Sequence, residues 1–360
     1  MNPLSLIPTP DSIPAPAWIF LALDIFLFTI HILLINMALG SILIILFRGL
    51  GGGRGSQRVS ANDGAARKIP SLFALGINFG VAPLLFMQVI YGHLFYSSSV
   101  LMAVYWILII PFLIVAYYGA YIFANKSGTR PLLARGSLWA AAFIVLSIGL
   151  MFVNNMTLML QPEKWTVYFE NRGGIFLNFS DSTLIPRYLH FVTASVAVGG
   201  LFMAFLAKRQ AGKGITGAGG NRDTGLKIYG YATVVQILIG MWFLITIPTD
   251  YLLYFMGMDP FSTIVFLMGL TGALGSAAAA FARRLHTTGI LFAITIAAMI
   301  LTRHNLRTVY LNGKFSLNTL HLNPQYGVMA LFVGILIFGI LAVIFMVKVS
   351  SSAGHRRVAE

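Results

Sequence analysis

The stretch RYLHFVTASVAVGGLFMAFLA, residues 187–207, decides the fold class. It is long and apolar enough to cross a bilayer as a helix, which takes about 20 such residues. Yet it carries His190 near its start, with Arg187 a turn earlier. By the i, i+3, i+4, i+7 rule, His190 shares a helical face with Thr193, Ala194, Ala197 and Gly200, all small. A membrane helix thus sets an imidazole above a groove of small side chains.

The rest of the chain repeats the apolar run. Of its 360 residues, 58% are hydrophobic and only 9% charged, where a soluble domain carries roughly a quarter charged. Mean hydropathy is +0.84. The composition implies an all-α polytopic membrane protein, a single integral domain over residues 1–360. Nine spans are expected, at about 18–47, 70–92, 98–124, 136–160, 186–207, 227–248, 260–282, 287–303 and 325–348. An extended Pro-rich segment (1–16) precedes them and a short tail (349–360) follows. Two Gly-rich stretches, RGLGGGRGSQRVSANDGAARK and AKRQAGKGITGAGGNRDTGLK, read as flexible loops; neither follows a strand, so neither is a phosphate cradle.

The net charge of +14 is a matter of topology and not of nucleic-acid binding. Six of the 24 Lys and Arg (Lys164, Arg172, Arg187, Arg303, Arg307, Lys314) fall on one side of the spans, and the other 18 on the opposite side. The positive-inside rule then places the N-terminus outside and the C-terminus in the cytoplasm. There are no cysteines. That excludes disulfides, thiolate metal sites, iron–sulfur clusters and covalent haem attachment. A redox group would have to be held by His, Met or carboxylate.

Ionisable and metal-binding side chains inside spans are functional candidates. His190 lies a turn inside span 5, and Met268 about two turns inside span 7, at similar depth from the outer side. His93 and His304 end spans 2 and 8 on that side, and His31 is nearer mid-membrane. His190 reads either as a buried histidine satisfied by a neighbouring helix or as a haem ligand. For haem, the small face would admit a flat macrocycle, Arg187 would pair a propionate, and Met268 would be the second axial ligand. Arg303 and Arg307, four apart, read as snorkelling anchors or as holders of haem propionates or a quinone carbonyl. Asp24 is the acid clearly within a span. Trp18, Trp106 and Trp165, with Tyr117, Tyr118 and Tyr251, suit aromatic belts, and Asn154 and Asn155 either bond a haem edge or join helices.

In the order of these motifs the chain resembles the large, haem-bearing subunit of the cytochrome bd quinol oxidases. FTIHILLINMALG looks like that family's first span, INFGVAPLLFMQVIYG its second, RYLHFVTASVAVGGLF its fifth and FSTIVFLMGLTGALG its seventh, while ILTRHNLR sits where the family has GRQPW. The resemblance implies a bd-like helix bundle, with His190 and Met268 as ligands of a low-spin b haem and His31 at a second haem site. His93 is a conceivable partner for His31. The departures are as informative. Gln88 stands where the family has an oxygen-site glutamate, Ser99 falls at a second glutamate on span 3, and the carboxylate before GRQPW is apolar around Ala293. The long quinol loop is reduced to TDYLLYFMGMD. Oxygen reduction consumes protons through ionisable groups, so an oxygen-reducing site is not expected.

The expected function is therefore a b-haem subunit, with one haem or two, of a quinol-oxidising or quinone-reducing complex. Quinol would bind near Arg303, His304 and Arg307. Electrons would pass to a periplasmic c-type, multihaem cytochrome subunit, making a hetero-oligomeric quinol:cytochrome c oxidoreductase. A divergent bd-type oxidase, a cofactor-free transporter and a haem-free anchor are the alternatives.

Overall fold

A computed structural model describes residues 3–50, 65–215 and 218–356. Nine helices among them are long and apolar enough to cross a membrane: α1 (Ala17–Leu50), α2 (Ile69–Leu101), α3 (Ala103–Lys126), α4 (Pro131–Leu160), α6 (Leu184–Ala211), α7 (Ala218–Thr246), α9 (Pro260–Phe281), α10 (Leu285–Leu311) and α11 (Tyr326–Arg356). Two short helices, α5 (Val167–Glu170) and α8 (Thr249–Leu252), lie in loops. The chain is a multi-pass, all-α membrane protein. Helices prevail because in hydrocarbon each backbone N–H and C=O must find its partner within the segment. Proline sits in the first turn of α2, α4 and α9, where its missing N–H costs nothing. Asp259 caps α9: hydrogen bonds from the Ser262 hydroxyl and amide hold its carboxyl below the ordinary carboxylate range, the amide contact being 2.8 Å.

Two four-helix groups emerge. In the first, α1 packs on α2, α3 on α4, and α2 and α1 both reach α4. In the second, α6 packs on α7, α7 on α9, and α9 on α10, with α10 returning to α6. The groups meet where α1 lies along α6 and where α10 touches α1 and α4. Glycine makes that seam. A Cβ on Gly40 would lie 1.8 Å from the Ser195 carbonyl oxygen, and one on Gly199 2.5 Å from the Gly40 carbonyl carbon. Beside them the Ser195 hydroxyl donates to Asn36 Oδ1 at 2.8 Å. α11 shows none of its central apolar window buried.

The helices overrun several expected boundaries. α10 continues two turns past residue 303, so Arg303, His304 and Arg307 lie within it and not at its end. α2 runs to Leu101, bent at Tyr91 (φ −120°, ψ 20°) and unbroken at Pro83. His93 is therefore inside the helix, and Ser99 belongs to α2 and not to the third span. The second Gly-rich stretch is largely the ends of α6 and α7; the first lies mostly outside the described residues, as do residues 357–360 of the tail. The N-terminal segment is not wholly extended: Pro3–Leu6 forms a 3-10 turn, and Ile13 bridges Leu322.

At the end of the bundle carrying this segment, polar groups tie the loop after α5 to the helices. The Asn154 amide donates to Met102 Sδ at 3.2 Å and its Oδ1 accepts from the Asn178 N–H at 2.7 Å. The Asn155 amide donates to Ser99 Oγ at 3.1 Å. Both asparagines therefore join helices and loop. Gly174, at φ 66°, turns its carbonyl to the Val104 N–H at 3.0 Å, across the α2–α3 break. Trp165 is buried and donates to the Leu158 carbonyl at 2.9 Å, and Trp106 packs edge-on against Phe95 and Phe152. Only Trp18, 68% exposed, keeps a belt position among these three. Asn154→Ala should lower stability by about 1–3 kcal/mol, because the buried Asn178 N–H loses its acceptor. A thermal midpoint equal to wild type in detergent would show that the loop satisfies itself otherwise.

Candidate functional site

The small face of α6 has a structural use. A Cβ on Gly200 would stand 2.9 Å from the Gly225 carbonyl oxygen, and one on Gly225 2.6 Å from the Gly200 carbonyl oxygen. The groove expected beneath His190 to admit a macrocycle is thus filled, from Gly200 on, by the backbone of α7. Ala197 is buried in the cluster that Leu201, Ala204, Leu226 and Tyr229 share. Small residues were placed there for close helix approach, the commonest use of such stripes in membranes.

His190 stands nearly three turns before Gly200 and faces α7. Gly240 lies opposite, where a Cβ would sit 3.4 Å from the ring. The Gln236 amide approaches Nε2 at 3.3 Å, and Nδ1 is buried with no partner. The imidazole is therefore incompletely satisfied, as a ligand-binding histidine is before its ligand arrives. Met268 is not brought to it. Its side chain is 41% exposed on α9, and α7 packs against both α6 and α9.

His31 is oriented more tightly. Its Nδ1–H donates to the Gly76 carbonyl at 2.7 Å, which fixes the tautomer and leaves Nε2 as the basic nitrogen. Gly80 makes room for the ring, since a Cβ there would fall 2.6 Å from Cε1 and Nδ1. A backbone carbonyl on one ring nitrogen is also the contact that orients many metal-bound imidazoles.

Between the two helix groups the charged residues gather. Arg307, 5% exposed, holds Nη1 3.8 Å from Asp24 Oδ2, and Asp24 is 6% exposed. The Arg307 guanidinium lies over Tyr91 at 5.1 Å, Arg303 over Phe28 at 4.3 Å and Arg187 over Phe243 at 5.0 Å. Phe28 in turn is 6.3 Å from the His31 ring. Arg303 also reaches Met156 Sδ at 3.8 Å. The three arginines sense one another's charge. Asp24 is the carboxylate facing Arg303 and Arg307, whereas the one acting on Arg187 is Asp181, which Gln161 at 2.9 Å and the Thr183 amide and hydroxyl at 2.7 and 2.8 Å also hold. Guanidiniums anchored at a water interface would be exposed; Arg307 is not, so snorkelling does not explain it.

His304, part-buried on α10, has its Nδ1 without a partner, as has the Nε2 of part-buried His93. His93 meets Phe315 edge-on at 4.6 Å and lines a hollow of about 360 Å³ with Lys314, Asn312 and Phe315. It does not meet His31, which lies some three turns away along α2 at the level of Gly80. Gln88 is half-buried on α2. Sequence reading passed over the Asp24–Arg307 pair, Tyr91 and the Gly76/Gly80 seat of His31. The last had a visible signal, two glycines four apart in GINFG.

Among the described residues no group of three His, Cys, Asp or Glu side chains is placed to hold a bare metal ion. The class these features define is a polytopic helical membrane protein with a buried arginine–aspartate cluster between two helix groups. No protein-family model matches the chain, and no curated protein does either.

Proposed function

We propose that the chain is the b-haem membrane subunit of a quinol-oxidising or quinone-reducing complex, acting as a quinol:cytochrome c oxidoreductase with a periplasmic c-type, multihaem cytochrome partner. In this reading the N-terminal end of the bundle is the outer face of a bacterial inner membrane. The observation that carries it is the buried pair of Arg303 and Arg307 facing one carboxylate, Asp24, with Arg187 near them and His31 close by through Phe28. Burying guanidiniums in lipid is costly unless an anionic or strongly polar group completes them. Haem propionates and quinone oxygens are such groups.

His31, through Nε2, and His190 would hold iron; Arg187, Arg303 and Arg307 would pair propionates or a quinone oxygen. When bound, a b haem supplies a one-electron carrier between quinol and the partner. The chain's own part is to fix the imidazoles, by the Gly76 carbonyl and by the wall of Gly240 and Gln236, and to exclude water from the charges. Met268 can serve His190 only if α9 turns that face inward. The position of Gln88, where a carboxylate would be needed for oxygen chemistry, favours electron transfer over oxygen reduction.

A reduced-minus-oxidised spectrum of the purified protein tests the reading. A b-type α-band, reduced by added quinol, is the expected result. Its absence from protein that retains its helical content would leave a cofactor-free transporter or anchor as the better description.

A further inference from the structure

Asp24 sits about 10 Å inside α1, at roughly 1.5 Å per residue from Ala17. Its pairing with Arg307 is loose. At 3.8 Å the two are in Coulombic contact but beyond the about 2.7–2.9 Å of a charge-assisted hydrogen bond, and Arg307 Nη1 makes no hydrogen bond. A purely structural buried pair gains most by closing to bidentate contact, because both ions have already lost their water. Here a guanidinium proton and a carboxylate oxygen are both left free to meet a third group. That group would donate one hydrogen bond and accept another, as the hydroxyl of a dihydroxyaromatic does. From α10 the charged groups facing Asp24 are Arg307 and Arg303, with His304 beside them; the titratable group from α2 is Tyr91; Arg187 of α6 lies near Arg303 and Arg307.

We propose that Asp24 takes the hydroxyl proton of a quinol bound against Arg303 and Arg307 and releases it at the N-terminal end of the bundle. The inference rests on the quinol-oxidising reading above and assigns its proton acceptor. Two O–H bonds of the quinol break, one after the other. At each, one proton would pass to the Asp24 carboxylate and one electron to a one-electron acceptor, the b haem that the histidines named above would hold, with the cytochrome partner taking up each electron before the next. Asp24 returns to carboxylate by losing each proton to water before the next arrives, and the ring leaves as quinone. The way out lies along α2: two residues beyond Tyr91, His93 presents an unpartnered Nε2 beside the hollow that opens at the bundle's end.

The test uses the purified complex, a short-chain naphthoquinol and three proteins: wild type, Asp24→Asn and Asp24→Glu. Reduction by dithionite reports haem content, rapid mixing with the quinol reports its oxidation, and time-resolved infrared spectra during that mixing report transient carboxyl protonation. The expected result is an unchanged dithionite band in Asp24→Asn, reduction by the quinol slower by about 100-fold or more, recovery in Asp24→Glu, and a carboxyl signal present in wild type and absent from Asp24→Asn. Wild-type quinol kinetics in Asp24→Asn with its band intact would overturn the inference and leave the functional reading standing. No haem band in wild type would overturn both. Should Asp24→Asn fail to fold, a wild-type infrared spectrum without a carboxyl change would overturn the inference, and one with a change that shifts in Asp24→Glu would support it.

Discussion

Gly40→Leu is expected to leave almost no folded protein in the membrane fraction. Gly40 does not line a space that a side chain could enter: its missing Cβ would fall 1.8 Å from the Ser195 carbonyl oxygen and 2.7 Å from its carbon. Both are backbone atoms of α6, and Gly199 presses back on Gly40 from the same helix. Overpacking a core costs typically about 1–3 kcal/mol when side chains can shift. Here nothing short of parting α1 from α6 relieves the clash, so the loss should exceed that range. Parting them also disturbs the approach of Asp24 on α1 to Arg303 and Arg307 of α10, so on the proposed function any surviving protein should lose the b-type signal. The contrasting variant is Gly334→Leu on α11, which has nothing within 4 Å and should change the yield little. Equal yields and thermal midpoints for the two variants would mean that α1 and α6 do not approach as closely as described.

The second large effect concerns the imidazoles. On the proposed function, His190→Ala and His31→Ala should each abolish one b-type spectral component, and the double variant should have none. His31 allows a finer test. Gly80→Ala leaves the imidazole in the sequence but pushes a methyl to within 2.6 Å of Cε1 and Nδ1, so the ring must leave the Gly76 carbonyl. The expected outcome is a shifted potential or a lost component matching that of His31→Ala, with helical content unchanged. The carbonyl that orients a metal-bound histidine is commonly worth about 10–100-fold in affinity, which a haem titration would resolve. A Gly80→Ala protein with the wild-type spectrum and potential would show that the seat of His31 has no bearing on a cofactor.

The amino-acid sequence by itself determined the class of this protein. Nine apolar runs of membrane length and the near absence of charge within them leave helices as the only solution for the backbone, and all nine are present. It also pointed to the unusual residues, since an arginine or histidine inside such a run is costly wherever the helix packs. What it could not fix was their company. A stripe of small residues under His190 reads equally as a seat for a flat cofactor or as a seam for another helix, because both demand the same absence of bulk. Only the packing of Gly200 on Gly225 showed the seam. Asp24 and Arg307 are separated by most of the chain, and their approach depends on α1 lying along α6 while α10 extends two turns beyond its apolar stretch. Hydropathy ends a span at its first arginine; tertiary structure continues it when another helix supplies the carboxylate.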